Sequence, residues 1–284
     1  MRRIGGAWAG LTDVTFIEPV PEVRALDMRV NGIVQNNWFN VGRPYYDFWN
    51  VGITGKSQIV QVSDTGLDTR HCAFRTSRRK VVQYVAYKDK QESRLGHGTH
   101  VAGIIAGNGK YGKTDQRGVA PDARIAFYDL HNNRNNEFAA PTTKKAFHRM
   151  LNQGLRGGKA KIHNASWGSE DNQYNTLSSW FDEYMYDNPG FLVFVSAGNY
   201  GRKGPNSMGS PGTAKNAVSV GATNISQRRT VVAPFSSRGP TSDGRIAPDL
   251  VAPGHAIVSA DASSNCGTSM KSGTSMSAPA AAGA

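Results

Sequence analysis

Gly273-Thr-Ser-Met-Ser-Ala-Pro279, followed by Ala280-Ala-Ala-Gly-Ala284, is the stretch around which this chain is organised. The alanine-rich run predicts a helix, because alanine is the strongest helix former and its small side chain lets a helix approach a sheet closely. Ser275 then falls in the first turn, where backbone N–H groups lack intrahelical partners and the helix dipole favours negative charge. That setting suits a nucleophile whose reaction creates an oxyanion. A serine hydroxyl is weak alone, so the reading requires a base, an orienting carboxylate and a further oxyanion donor. A serine at a helix start is more often only a cap, and Ser275 counts only if those partners exist upstream. Gly267-Thr-Ser-Met270 repeats the same letters. Ser269, however, runs into Lys271-Ser272-Gly273, a turn composition with no helix behind it, so Ser275 is the better candidate.

Working upstream, Phe191-Leu-Val-Phe-Val195 reads as a buried strand that runs into Ser196-Ala197-Gly198-Asn199. Lys161-Ile-His-Asn-Ala165 is a strand leading to Ser166-Trp167-Gly168, and Ala217 to Ala222 is another. Arg124 to Leu130 is a strand; Pro141 to Gln153 and Thr176 to Tyr186 have helical spacing, the latter ended by Pro189-Gly190. Gly96-His97-Gly98-Thr99-His100-Val101-Ala102-Gly103 opens a buried helix with His97 at its start. The three-residue spacing of His97 and His100, with no glutamate between them, does not fit the zinc-protease pattern. Gln58 to Ser63 is a buried strand stopping at Asp64-Thr65-Gly66, where open α/β sheets place their sites; an Asx-turn is the plain alternative. Strands separated by helices predict a mostly parallel sheet with helices on both faces.

Asp64, His97, Asn199 and Ser275 each follow a strand or begin a helix, so one sheet edge can gather them. In that arrangement His97 takes the Ser275 proton, Asp64 holds the imidazole tautomer, and the Asn199 amide and Ser275 N–H hold an oxyanion.

Composition bounds the rest. The chain has 284 residues, 33 Lys+Arg against 21 Asp+Glu, a net charge of +12, and 32 glycines. No apolar run approaches the ~18 residues of a membrane span. The positive charges are scattered, and the densest run, Arg75 to Lys80, has no aromatic platform beside it, so a solvated loop is favoured over a nucleic-acid surface. Gly52-Ile-Thr-Gly55-Lys56-Ser57 and Gly107 to Gly112 lack the spacing and context of phosphate or dinucleotide loops and read as turns. Tyr45 to Trp49 is an aromatic cluster that packs on the domain surface. Arg24 to Asn37 reads as a helix or an extended leader. Cys72 and Cys266 do not make a disulfide-rich scaffold; whether they pair depends on a Cα approach under ~7 Å that sequence leaves open. The Met1 to Leu11 segment is a poor signal peptide, its apolar core being short and broken by glycines.

These motifs together resemble the subtilisin-like serine proteases, the subtilases. The resemblance rests on Asp64-Thr-Gly66, His97 to Gly103, Ser196-Ala-Gly-Asn199 and Gly273 to Pro279, in that order, and covers roughly residues 52 to 284. Pro279 stands four residues after Ser275, as in the family pattern, which again selects Ser275 over Ser269. The resemblance implies an α/β three-layer subtilisin-like fold with a mostly parallel central sheet, truncated at the C-terminus. It implies a serine endopeptidase with catalytic Asp64, His97 and Ser275 and an oxyanion hole at Asn199. Ser166, Trp167, Gly168, Ala197 and Gly198 are implied to bind substrate. Residues 1–27 correspond to the end of a propeptide, with Val14 to Pro21 its last strand and maturation near Leu26 to Asn31, and residues 28–284 to the peptidase domain. Further domains are implied by a weaker likeness to the alkaline branch that adds a C-terminal β-domain. Partners are polypeptide substrates and the chain's own propeptide as inhibitor, with no nucleic acid. No cofactor is required for the chemistry and no metal ligand is assigned; a structural calcium fits the family, but Ala73 stands where relatives carry an acidic ligand. Family habit places such enzymes outside the cell or in the secretory pathway. Of two glycosylation sequons, Asn164-Ala-Ser166 lies in a core strand and Asn224-Ile-Ser226 in a loop.

Overall fold

A computed structural model describes residues 27–37, 46–75, 79–109, 116–225 and 230–284. The expected strand at Val14 to Val20, most of the propeptide segment, Arg78, Gly112 and Ser226 lie outside the described residues. The main sheet contains β1 (Ile59–Asp64), β2 (Val81–Ala86), β3 (Arg124–Asp129), β6 (Ile162–Ala165), β7 (Leu192–Ser196), β8 (Val218–Thr223) and β9 (Leu250–Pro253). Their order is β2-β3-β1-β6-β7-β8-β9, and every neighbouring pair is parallel. Two antiparallel hairpins stand apart, β4 (His131–Asn132) with β5 (Glu137–Phe138) and β10 (Ile257–Ala260) with β11 (Thr268–Lys271).

The helices are α1 (Asp27–Asn36), α2 (Asp47–Asn50), α3 (His97–Ala106), α4 (Lys144–Asn152), α5 (Thr176–Asp187) and α6 (Thr274–Gly283). One core lies under α3 and α6, where Val60 and Val62 of β1 join Val101, Ile105, Met276 and Ala280 in one buried cluster. The other lies under α4 and α5, where Phe147, Met150, Leu151, Phe181 and Tyr184 join Val193 and Val195. Burying side chains of this kind contributes roughly 1.5–3 kcal/mol each. The three-layer α/β reading therefore holds.

The alternation within β1 explains how a central strand carries polar residues. Val60 and Val62 face the first core; Gln61 and Ser63 face the other side and are satisfied there. Trp167 Nε1–H donates to Ser63 Oγ (3.0 Å), which donates onward to His163 Nε2 (3.0 Å); His163 Nδ1–H donates to Gln61 Oε1 (2.8 Å), and Gln61 Nε2 donates to the Met150 carbonyl (2.8 Å). The direction of the chain is set by the Met150 carbonyl, which can only accept, so Gln61 Nε2 faces it and Gln61 Oε1 faces the His163 Nδ1–H. Burial pushes the His163 pKa down to about 3, so the ring is neutral, as this relay requires.

Local differences from the sequence reading have local causes. The helix expected from Pro141 begins at Lys144, because Thr143 caps it by accepting from Ala146 N (3.3 Å), and it passes into a wider turn at Gln153–Gly157. The segment around Ser269, read as running into a turn, is strand β11 paired with β10. Of the stretch Arg24 to Asn37, the described part forms helix α1 over Asp27–Asn36, whose Val30 is buried in the first core. Of the aromatic cluster, Tyr46 packs on Trp49 (ring centroids 4.4 Å apart), whose indole donates to the Val119 carbonyl at 2.9 Å. Cys72 and Cys266 are joined as a disulfide.

Candidate active site

Asp64 is the last residue of β1, and His97 is the first residue of α3. Two glycines let these ends meet. A Cβ on Gly98 would lie 2.1 Å from the Gly66 carbonyl oxygen and 3.2 Å from Asp64 Cβ, and Gly66 itself has φ +119°, in the region that favours glycine. His97 Nδ1–H donates to Asp64 Oδ1 at 2.7 Å. This fixes the tautomer with Nε2 unprotonated and available as a base. The Asp64 side chain is 1% exposed and that of His97 26%, so the carboxylate is sealed while an edge of the imidazole reaches solvent. Asp64 Oδ1 also accepts from Thr65 N (2.7 Å); Oδ2 is buried without a partner among the described residues. Burial works to lower the His97 pKa, but the Asp64 carboxylate, by charge and hydrogen bond, and then Glu92 outweigh it, and the net shift is upward.

Ser275 sits in the first turn of α6, beside Ser166 at the end of β6. Pro279 lies four residues on and has no N–H to give the Ser275 carbonyl. The Ser166 hydroxyl donates to that carbonyl instead (2.9 Å), and Ser275 Oγ donates back to the Ser166 carbonyl (3.0 Å). Ser275 Oγ is thus turned onto Ser166 and not onto His97. Asn199 follows β7. Its Oδ1 accepts from Thr274 N (2.8 Å) and Thr274 Oγ1 (3.1 Å), which leaves its Nδ2 donors without a partner among the described residues. Thr274 Oγ1 also accepts from Gly198 N (3.1 Å).

A cleft of about 480 Å³ lies against these residues, lined by Ser166, Trp167, Gly168, Gly198, Asn199 and Ser275 among others. Phe138 on β5 packs against Trp167 (centroids 5.9 Å apart) and adds an aromatic wall. Ala197, expected to touch substrate, does not line the cleft. Its side chain is fully buried, and its backbone is occupied by Val220 O and Gly209 N. The reason is the strand alternation, which turns the residue after Ser196 into the core.

The other candidates resolve as structural. His100, three residues after His97, is fully buried, donates from Nε2 to the carbonyls of Ser269 (3.1 Å) and Ile257 (3.2 Å), and has its pKa pushed down to about 3 by burial. Ala73 is buried in the turn Cys72–Phe74 and offers no side-chain ligand atom. Thr274, Phe138 and Glu92 were not anticipated. Thr274 precedes the serine in the motif itself, and that adjacency was its only signal.

Residues 55–284 match the family described as the subtilase family. The protein named serine protease/ABC transporter B family protein tagB, of Dictyostelium discoideum, is 29% identical over 83% of this chain and 17% of its own length. Alkaline protease 1 of Aspergillus clavatus is 34% identical over 79% of this chain and 50% of its own length, and serine protease AprX of Bacillus subtilis 31% over 81% and 56%. The chain thus spans from under a fifth to little over half the length of these relatives. Among solved structures, the Clostridium perfringens CspB protease superposes with a TM-score of 0.70 at 20% identity, covering 84% of each chain. A cold-adapted subtilisin-like serine proteinase superposes with a TM-score of 0.62 at 25% identity, over 89% of this chain and 82% of its own. With the sheet order, the His97–Asp64 pair and the match over residues 55–284 in agreement, the chain belongs to the subtilase family.

Proposed function

We propose that this chain is a serine endopeptidase that cleaves peptide bonds through an acyl-enzyme, with Ser275 as nucleophile, His97 as general base and acid, and Asp64 as the orienting carboxylate. The observation that carries the reading is the 2.7 Å hydrogen bond from His97 Nδ1 to a buried Asp64, in a chain whose Ser275 and Asn199 line the cleft. On substrate binding Ser275 Oγ leaves the Ser166 carbonyl, gives its proton to His97 Nε2 and attacks the scissile carbonyl carbon. The Asn199 Nδ2 and the Ser275 N–H hold the oxyanion; His97 then protonates the leaving amine, and water releases the acyl group by the reverse path. No cofactor enters these steps, since nucleophile, base and oxyanion donors are all groups of this chain. An extended peptide adds along the Ser166-Trp167-Gly168 backbone as a strand.

A secreted or secretory-pathway enzyme is part of the same proposal. The Cys72–Cys266 disulfide supports it, since such bonds persist in oxidising compartments, and a relative is named minor extracellular protease Vpr. Residues 1–27 are proposed to be the end of an inhibitory propeptide and 28–284 the peptidase domain.

The test is labelling of the folded chain with a fluorophosphonate, beside Ser275→Ala and Ser269→Ala. Labelling lost in Ser275→Ala alone is the expected result. A folded wild-type chain that does not label would sink the enzyme reading in favour of a peptide-binding module.

A further inference from the structure

A second carboxylate lies behind the His97–Asp64 pair. Helix α3 is poorly capped by its own sequence: Gly96 at its N-cap has no side chain to accept from the first-turn N–H groups. Those donors are met from elsewhere. Thr65 Oγ1 accepts from Gly98 N (2.9 Å), and Glu92 Oε2 accepts from Thr99 N (2.6 Å) and from Thr99 Oγ1 (2.6 Å). The other oxygen, Glu92 Oε1, accepts from Thr65 Oγ1 (2.7 Å), Ser93 N (2.8 Å) and Ser93 Oγ (3.3 Å). One carboxylate thus ties the residue after Asp64 to the second residue after His97. Its negative charge stands at the helix N-terminus, where the dipole favours it.

We propose that Glu92 is a positioning residue for the proteolytic site, holding the end of β1 and the start of α3 in the register that lets His97 meet Asp64. The proposal rests on the catalytic reading of Ser275, His97 and Asp64 given above. Glu92 is well suited to this task because all its acceptor directions are used by donors from two separate elements. An amide of the same shape cannot replace it. Gln carries one acceptor oxygen, so its NH₂ must face either Thr99 N–H or Ser93 N–H, donor against donor. Glu92 also bears on the imidazole by charge. The charged and titratable groups around His97 are Asp64 and Glu92, which favour its protonation, and Lys271 on β11, which opposes it; His100 lies on the same helix. Around Glu92 are Asp64, Tyr84, Asp129 and His97; burial, with Asp64 adding to it, raises its own pKa despite the hydrogen bonds.

The test is steady-state proteolysis of a peptide substrate by Glu92→Gln, Glu92→Asp and Ser275→Ala across pH, with thermal unfolding measured in parallel. In Glu92→Gln, kcat is expected to fall by about tenfold to a hundredfold with little change in KM, as misplaced catalytic groups produce. The acid limb of kcat/KM is expected to move to lower pH, because a negative charge favouring imidazolium has gone. Glu92→Asp keeps that charge but is too short to bridge Thr65 and Thr99, so its acid limb stays while kcat falls. A melting temperature lowered in Glu92→Gln with kcat and acid limb both unchanged would reduce Glu92 to a fold-stabilising residue and overturn the proposal. Should Glu92→Gln not fold, a wild-type kcat in Glu92→Asp overturns it equally. Activity persisting in Ser275→Ala would defeat the catalytic reading, and this inference with it; activity that depends on Ser275 but ignores both Glu92 variants defeats only the inference.

Discussion

Ser166 and Ser275 exchange two hydrogen bonds, each hydroxyl donating to the other residue's carbonyl, at 2.9 and 3.0 Å. One of the two is a consequence of Pro279, which leaves the Ser275 carbonyl without its helical donor. The backbone of Ser275, the proposed nucleophile, is therefore held by the wall of the cleft. Replacing Ser166 by Ala leaves that carbonyl unsatisfied, at a cost of about 1–3 kcal/mol. The expected result is a lower melting temperature together with slower fluorophosphonate labelling; unchanged values of both would show that the Ser166 hydroxyl does not support the nucleophile.

Thr274 holds Asn199, a cleft-lining residue, by its carbonyl end, which leaves the amide Nδ2 to donate elsewhere. Asn199→Ala should lower kcat by about 10²–10³, the loss known for one oxyanion donor, a magnitude that comes from subtilisin itself. Thr274→Val keeps the backbone donor to Asn199 but removes the hydroxyl that also receives Gly198 N. Its kcat should fall by roughly tenfold, less than in Asn199→Ala, as expected when a donor is misaimed and not deleted. Equal losses in the two variants would contradict this division of labour.

The upward shift of His97 sets the pH dependence. The proposed mechanism needs the neutral imidazole, so kcat/KM should rise with pH through a midpoint above the ordinary histidine value of ~6.5. The stability contribution has the opposite sense. Protonated His97 is favoured in the folded state, so its contribution is fully present below the unfolded pKa and is lost as pH rises through the raised folded one. A kcat/KM profile on a peptide substrate with its acid midpoint below ~6.5 would show that burial, and not the carboxylates, controls the base.

The Cys72–Cys266 disulfide ties the turn after β1 to the loop of the β10–β11 hairpin, across a sequence separation of 194. The same contact is reinforced by Cys72 N donating to Asn265 O (2.7 Å) and His71 Nε2 donating to Gly267 O (2.9 Å). Replacing both cysteines by Ala should cost about 2–4 kcal/mol and lower the melting temperature by roughly 5–15 °C. Calorimetry of the double variant against the oxidised parent measures this; a drop of a degree or less would mean that the hydrogen bonds alone hold the hairpin.

Strands β2, β9, β10 and β11 are not read from the sequence; by itself it determined the central strands with their intervening helices, the parallel sheet, and the preference for Ser275 over Ser269 as candidate. Each of these is written in local pattern: runs of Val and Ile in strands, the alanine helix, and a proline at a fixed offset from the serine. It also placed Asp64 at the end of a strand and His97 at the start of a helix, from the apolar runs that adjoin them. The tertiary structure alone decided the pairing of Cys72 with Cys266, the burial of Ala197, the turning of Ser275 Oγ onto Ser166, and the grip of Glu92 on Thr65 and Thr99. These depend on distances between segments separated by 7 to 194 residues in the chain. No periodicity or propensity encodes such a distance; it is set when the layers pack, and with it which polar groups find partners.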